Sequence, residues 1–318
     1  MKYAAKKTAM MLLTMVIVSF LAFLAFQIIP GDAAVNQLGS DATVEAVEAL
    51  RHEMGLDRPF FVRYGEWVLG ALRGDFGISY KYKTDVLEVI GGRAVNTLIL
   101  GGIGFILIFS LALGLGIFCA WFEDRWPDRI LCKVGTVVSC IPEFWLSLVL
   151  ILVFAVNLRW LPSSGAYSVG NANDIGDRIL HLILPLTVAV LNHLWYYAYM
   201  IRNKLLEEIR AEYVLLAKSK GLNKRQVMFR HCLRNIIPSY LSIMAISVPH
   251  ILGGTYIIET VFSYPGIGTL SYESARYQDY NLLMVLCILS GAIVILFNLA
   301  AQIINERIDP RMKENELV

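Results

Sequence analysis

The segment RNKLLEEIRAEYVLLAKSKGLNKRQVMFRHCLRNIIP, residues 202–238, is a polar and basic block between two hydrophobic segments. Apolar residues recur in its first half at three- and four-residue spacing, which places them on one helical face: Leu205, Leu206, Ile209, Tyr213, Leu216 and Ala217. Gly221 can adopt the positive φ that ends a helix, and Asn223 followed by Gln226 forms a capping-box pattern. The segment therefore predicts two short helices joined by a glycine turn. Periodicity alone leaves open whether this hairpin contacts a partner or is only solvated.

The composition of the whole chain indicates a membrane protein. Of its 318 residues, 57% are apolar and only 17% are charged, which exceeds the apolar content of ordinary soluble domains. The net charge of +2 is too small to indicate a nucleic acid partner. Six segments are long and apolar enough to cross a bilayer core of about 30 Å as helices: residues 9–29, 96–121, 134–156, 179–201, 239–258 and 282–304.

The distribution of lysine and arginine predicts the orientation of these spans. If the N-terminus is inside, 18 of the 28 basic residues are cytoplasmic, and most of the others lie in one outside segment that is long enough to escape the rule. We therefore predict an all-α integral membrane protein with six transmembrane helices and both termini in the cytoplasm. The expected divisions are a tail and first helix at 1–30, an extracytoplasmic helical segment at 31–95, a five-helix core at 96–305 that includes 202–238, and a cytoplasmic tail at 306–318.

Local signals predict helices in the outside segment and breaks in the spans. An amphipathic helix is expected near residues 43–54, and an aromatic-rich helix at 60–72. A segment of this length is rarely idle, and it could be either a docking surface or a lid. Pro142, Pro185 and Pro249 interrupt three predicted spans, so we expect a kink or a local break at each of them.

Three ionisable residues within the predicted spans are candidates for a translocation path, because charged groups are unfavourable in hydrocarbon and tend to face a cavity or a partner. They are Glu143, His193 and His250. The alternative is that each of them pairs with a neighbouring polar group, such as Asn192 or a carbonyl freed by a nearby proline. A metal relay that joins the two histidines with Cys140 is a further hypothesis.

Motifs of catalysis are absent from the sequence. There is no phosphate-binding loop and no hydrolase or metalloprotease signature. None of the five cysteines lies in an outside loop, where an oxidising compartment could pair them. The chain is therefore not predicted to be an enzyme or to hold a metal of its own.

Residues 212–222 (EYVLLAKSKGL), followed by RHCLRN at 230–235 and by Pro238, resemble the cytoplasmic coupling loop of ATP-binding-cassette (ABC) importer permeases. The closer match is to the branch that imports dipeptides, oligopeptides and nickel. Similar motifs follow in order along nearly the whole chain: PGD at 30–32, GLDRP at 55–59, GDFGIS at 74–79, WLP at 160–162, ETVFSYPGIG at 259–268 and DPR at 309–311. Two positions depart from the pattern, because Leu215 stands where the general signature has glutamate and Glu143 stands where a neutral residue is expected.

The resemblance implies a type I ABC importer permease fold and a division of labour in a bacterial inner membrane. A homologous second permease would complete the pathway, two ABC ATPase subunits would bind ATP and Mg, and an extracytoplasmic solute-binding protein would deliver the substrate. This chain would need no cofactor. The ATPase-coupling residues would be Glu212, Tyr213, Leu216, Ala217, Lys218, Lys220, Gly221 and Leu222. Of these, Tyr213, Leu216 and Ala217 would be buried in an ATPase groove, with Lys218 and Lys220 at its rim.

Two other functions stay open at this point. An ion-coupled secondary carrier or channel would use Glu143, His193 and His250, and a membrane anchor or sensor would not transport at all. The substrate is also open among nickel, metal chelates, dipeptides and oligopeptides. The stretch at 244–254 leans slightly towards the nickel or metallophore type.

Overall fold

The computed structural model describes residues 2–28, 33–39 and 42–308, and the regular secondary structure of these residues is helical apart from an isolated bridge between Ile78 and Asp85. The motifs predicted at 30–32 and 309–311, and the tail beyond residue 308, lie outside the described residues. The helices are α1 (Lys2–Ile28), α2 (Ala33–Leu38), α3 (Val44–Glu53), α4 (Phe60–Leu72), α5 (Val86–Trp121), α6 (Trp126–Ser139), α7 (Glu143–Leu150, continued by π-helical turns at Ile151–Asn157), α8 (Ile175–Ile209), α9 (Glu212–Ser219), α10 (Lys224–Gln226, continued by π-helical turns at Val227–Cys232), α11 (Leu233–Val261), α12 (Ile267–Arg276) and α13 (Tyr280–Ile308).

Helices of membrane-spanning length account for most of the predicted spans. Among the described residues, four helical runs are long and apolar enough to cross a bilayer: Val86–Trp121, Ile175–Ile209, Lys224–Val261 and Tyr280–Ile308. The pair Trp126–Ser139 and Glu143–Asn157 gives a fifth if it counts as one broken span. The first predicted span falls on α1, whose apolar part, Leu13–Ile28, is shorter than these. The count of six spans and their orientation stay predictions.

The three prolines act differently from one another. Pro142 is the N-cap of α7, and α6 and α7 meet at a bend of 94°, so the predicted break is confirmed there. Pro185 and Pro249 lie inside the continuous helices α8 and α11, and the helix is not broken at either. Spanning helices tolerate proline where neighbouring groups satisfy the carbonyl that it leaves free.

The chain divides into two compact units, whose boundaries fall inside α5, between α11 and α12, and inside α13. The first unit comprises Met1–Val95 with Pro265–Ile295, and the second comprises Asn96–Tyr264 with Leu296–Val318. In the first unit, α3 and α4 confirm the helices expected near 43–54 and at 60–72. Its core packs α5 against α12 and α13 through buried aliphatic residues, namely Val86, Ile90, Leu270, Leu282 and Leu286.

Two acidic side chains hold the 79–82 stretch of the first unit in place. The buried carboxylate of Asp279 accepts hydrogen bonds from Ser79 Oγ at 2.5 Å and from the Lys81 backbone N–H at 3.1 Å. Glu273 accepts from Lys81 Nζ at 2.7 Å and from Tyr82 Oη at 2.5 Å. Burial and the hydrogen bond to Glu273 raise the pKa of Tyr82 to about 12. Burial alone would raise the pKa of Glu273, but its two hydrogen bonds outweigh burial and lower it.

In the second unit, α8 packs against α11, α6 and α5. The core cluster of this unit joins buried residues of α5, α8, α9 and α11, among them Ile108, Phe109, Ile201, Leu205, Val214, Ala217 and Ile236. Glycine lets α5 and α8 approach: a Cβ atom at Gly116 would lie 2.8 Å from Ile201 Cγ2 and 3.1 Å from the Ala198 carbonyl oxygen. Small residues permit such contacts between membrane helices.

A matched pair of glycine variants tests this packing. Gly116→Ala should lower the free energy of unfolding by about 1–3 kcal/mol, because the added methyl group overpacks the α5–α8 contact. Gly114→Ala, where nothing lies within 4 Å of the added atom, should leave stability unchanged or raise it through helix propensity. Thermal unfolding of the detergent-solubilised chain provides the measurement, and identical transitions in the two variants would contradict the packing.

Candidate functional site

The segment 202–238 is divided differently from the prediction of two short helices. α8 continues through Arg202 as far as Ile209, α9 occupies Glu212–Ser219, and α11 begins at Leu233. Ala211 separates α8 from α9 with an extended backbone, at φ −68° and ψ 150°. The apolar periodicity runs across this break because both helices turn most of those residues towards the same core. It therefore indicates a shared buried face and not a single helix.

The predicted glycine turn and capping box are both confirmed. Gly221 has φ +83°, and the Leu222 N–H donates to the Ala217 carbonyl at 3.2 Å to close the end of α9. Asn223 Oδ1 accepts from the Gln226 N–H at 2.9 Å, and Gln226 Oε1 accepts from the Asn223 N–H at 3.0 Å. A Cβ atom at Gly221 would meet nothing within 4 Å. Only its backbone conformation therefore requires glycine.

The inner face of α9 packs against other helices of the same chain. Val214 and Ala217 are only 1% and 7% exposed in the core cluster. Tyr213 Oη donates to Glu208 Oε2 at 2.5 Å, and Asn235 Nδ2 donates to the same oxygen at 3.2 Å. Burial and the hydrogen bond to Glu208 raise the pKa of Tyr213, so its hydroxyl stays the donor. We call Glu208, Tyr213 and Asn235 the Glu208 clasp, since it joins α8, α9 and α11.

Further contacts join the flanks of α9 to the end of α5. Lys224 Nζ donates to the Trp121 carbonyl oxygen at 2.6 Å and lies 4.9 Å from the centre of the Trp121 ring. Arg210 pairs with Glu123 at 2.5 Å. The arginine is largely exposed, and exposed ion pairs contribute only about 0–1 kcal/mol. The buried face and the clasp therefore do most to fix α9.

The outer face of α9 differs in part from the expected docking surface. Leu215 and Leu216 are 65% and 57% exposed, and Glu212, Lys218 and Lys220 are exposed beside them. Tyr213 and Ala217 were expected in an ATPase groove. Instead, the chain's own core buries Ala217 and partly covers Tyr213. Leu222 also packs against that core. The apolar residues that α9 leaves uncovered are thus Leu215, which the sequence argument did not select, and Leu216.

A cavity of about 610 Å³ in the second unit brings two of the three predicted path residues together. We call it the histidine cavity; α5, α6, α8 and α11 line it, with polar and aromatic groups that include Cys140, Asn192, His193, Trp195, Tyr196, Tyr199 and His250. Among the described residues no three His, Cys, Asp or Glu side chains are placed to hold a metal ion. The metal-relay hypothesis therefore has no geometric support.

Glu143 does not line the histidine cavity. It is the first residue of α7, and its Oε1 atom is buried without a hydrogen-bond partner. Asn192 lies within hydrogen-bonding reach of its carboxyl group. This placement favours the alternative in which Glu143 pairs with a neighbouring polar side chain.

Comparison with known proteins identifies the family of this chain. Residues 112–314 match the family described as binding-protein-dependent transport system inner membrane component, and residues 1–101 match its N-terminal companion. The chain belongs to this family. It is the membrane permease subunit of an ABC importer, as the resemblance of 212–222 implied.

Individual relatives span the whole length of this permease. The oligopeptide transport system permease protein AppB of Bacillus subtilis is 30% identical over 312 residues, covering 98% of this chain and 99% of the relative. The glutathione transport system permease protein GsiC of Escherichia coli is 29% identical over 313 residues, with the same coverage. A solved structure of the MetNI methionine ABC transporter is similar with a TM-score of 0.55 and 16% identity, covering 70% of this chain and 97% of that chain. This last similarity supports the fold alone.

The turn after α9 can be tested without touching any packed side chain. Gly221→Val should reduce ATP-driven uptake severalfold, because a β-branched residue at φ +83° costs about 1–2 kcal/mol and distorts the turn. Gly221→Asn should keep most of the uptake, since asparagine tolerates this conformation. Uptake by proteoliposomes that contain the assembled importer distinguishes the two. Equal uptake by the two variants would show that the left-handed turn is not needed.

Proposed function

We propose that this permease forms, with a homologous second permease, the pathway of a bacterial inner-membrane importer of short peptides, with six spans and both termini in the cytoplasm. Residues 212–222 would receive the motion of the ATPase subunits, which bind ATP and Mg. An extracytoplasmic solute-binding protein would deliver the peptide. The single observation that carries the coupling role is the outer face of α9, where Leu215 and Leu216 are exposed between charged residues.

The two faces of α9 support a role as a force-transmitting element. Its inner face is buried and bonded to α8 and α11 through the Glu208 clasp. Its outer face presents two leucines, and exposed apolar groups rimmed by charge are typical of docking sites. An ATPase that moves α9 would therefore also move α8 and α11, because those helices share its core.

Short peptides are the cargo that the relatives favour. AppB and GsiC are named for oligopeptide and glutathione transport, and a second relative near 30% identity, from Sinorhizobium fredii, is named as a probable peptide ABC transporter permease. The slight leaning of 244–254 towards nickel is not tested by these relatives. Family membership supports ATP hydrolysis on partner subunits as the driving force, and no observation favours the ion-coupled alternative.

A charge placed on the outer face of α9 tests the docking proposal. Leu216→Glu should reduce the amount of ATPase that co-purifies with the permease by at least about tenfold, because an unpaired carboxylate is unfavourable in an apolar contact. Uptake of a labelled tripeptide by proteoliposomes, in the presence of the solute-binding protein, should fall in parallel.

Val169→Glu is the matched control for this variant. Val169 is also an exposed apolar residue of the second unit, but we predict it to lie on the opposite side of the membrane. The Val169→Glu variant should leave both ATPase recovery and peptide uptake unchanged. Normal ATPase recovery with Leu216→Glu would refute docking through this face.

A further inference from the structure

A buried ion pair joins the segment 202–238 to α6. Arg202, near the end of α8, donates from Nε to Asp128 Oδ1 at 2.7 Å and from Nη2 to Asp128 Oδ2 at 2.6 Å. The side chains of Asp128 and Arg202 are only 3% and 14% exposed. Two parallel hydrogen bonds from one guanidinium group fix the orientation of the carboxylate as well as its distance. The pair therefore joins α6 and α8 in one defined geometry.

The Asp128 carboxylate also holds the turn that precedes α6. Asp124 has a left-handed backbone with φ +58°, and its N–H donates to Asp128 Oδ2 at 3.0 Å. The Cys132 thiol, one helical turn into α6, donates to Asp128 Oδ1 at 3.5 Å. An ionised carboxylate offers about four acceptor sites, so these two donors and Arg202 occupy both of its oxygens. One side chain therefore fixes the start of α6 and its contact with α8.

A second ion pair joins the same two parts of the chain but differs in burial. Arg210, the C-cap of α8, pairs with Glu123 in the connection between α5 and α6, and the arginine side chain is largely exposed. Exposed ion pairs contribute little because solvent screens them, whereas a buried pair that loses one partner leaves an uncompensated charge. We therefore expect Asp128 and Arg202, and not Glu123 and Arg210, to hold α6 against α8.

The position of α6 relative to α8 shapes one side of the histidine cavity. Cys132, Gly135, Thr136 and Ser139 of α6 line this cavity. The missing side chain of Gly135 lets α6 lie close to α8, because a Cβ atom there would lie 2.7 Å from Trp195 Cε3. α6 ends at the 94° bend, so α7 does not hold it in line as a continuous helix would. The contacts with α8 are therefore important for where this wall lies.

We propose that Asp128 and Arg202 are positioning residues for transport, which make α6 move with α8 when the ATPase subunits move α9. Neither residue needs to contact the cargo for this role. Without the pair, α8 would move and leave α6 behind, and ATP hydrolysis would be uncoupled from the change in the cavity wall. This proposal rests on the proposed function, in which the ATPase subunits act on α9.

Asp128→Asn combined with Arg202→Gln tests the pair without leaving an unpaired buried charge. The asparagine amide oxygen can still accept from the Asp124 N–H, while the charged bidentate contact is lost. Uptake of tritiated Ala-Phe-Ala is measured in proteoliposomes that contain the purified permease–ATPase complex and the solute-binding protein. The amount taken up per ATP hydrolysed should fall about three- to tenfold, as expected for residues that carry coupling between sites.

Glu123→Gln combined with Arg210→Gln is the matched control. It removes the exposed ion pair and should leave uptake per ATP hydrolysed at the wild-type value. A purely structural role of Asp128 and Arg202 would lower the temperature of thermal unfolding, and uptake and ATP hydrolysis would then fall together at a constant ratio. A wild-type ratio in the variant that lacks the buried pair, or an equal fall of the ratio in both double variants, would overturn the proposal.

Spin labels on α6 and α8 show directly whether the two helices move together. Labels are placed at Lys133 and Glu207, both exposed, after the exposed Cys140 is replaced by serine. In the complex that keeps the buried pair, their distance should stay constant within about 2 Å between the nucleotide-free and the vanadate-trapped states. It should change between these states in the variant that lacks the pair. A larger change while the pair is intact would overturn the proposal.

Uptake by the wild-type complex separates this inference from the proposed function. If the wild-type importer takes up the tripeptide and loss of the buried pair leaves the ratio to ATP hydrolysis unchanged, only the positioning role is removed. If the wild-type complex shows no ATP-driven uptake of the tripeptide, the proposed function fails and the positioning role fails with it.

Discussion

One carboxylate ties together three helices at the proposed coupling site. Glu208 stands near the end of α8 and accepts hydrogen bonds from Tyr213 on α9 and Asn235 on α11. Hydrogen bonds to a charged acceptor contribute about 1.5–3 kcal/mol each. Val214 and Ala217 add a buried face to the same joint, so the clasp and this face are the main contacts that hold the short helix α9. Without the joint, a partner could displace α9 and leave the spans where they are.

α8 connects this joint to the histidine cavity. Glu208 and Trp195 are 13 residues apart in one continuous helix, which corresponds to about 20 Å along the helix axis. Packed helices respond to force as discrete bodies and not as deformable springs. A displacement of α9 is therefore expected to reach the lining of the histidine cavity through α8, and α11 would carry His250 with it. In the proposed function, this geometry would carry the motion of the ATPase subunits to the histidine cavity.

Several local features of the fold and of the candidate site could be predicted from the sequence. The glycine turn, the Asn223 capping box and the break at Pro142 each follow from one or two residues. The predicted continuity of the first coupling helix was wrong, because Leu205 and Ala217 face one core from two different helices. The Glu208 clasp joins residues 27 positions apart, and no periodicity reports such a contact. The close contact between Gly135 on α6 and the Trp195 ring on α8 is likewise visible only in three dimensions.

Spin-label distances across the joint test the central claim most directly. Labels at Glu207 on α8, Ser219 on α9 and Arg234 on α11, all exposed positions, are placed in the assembled importer after its exposed native cysteine is replaced. Pulsed double electron–electron resonance is then compared between the nucleotide-free and the vanadate-trapped states. A rigid joint predicts that the three distances stay constant within about 2 Å while the ATPases close. A change of about 5 Å between α8 and α9, the length of one helical turn, would show that α9 moves alone and would contradict the account.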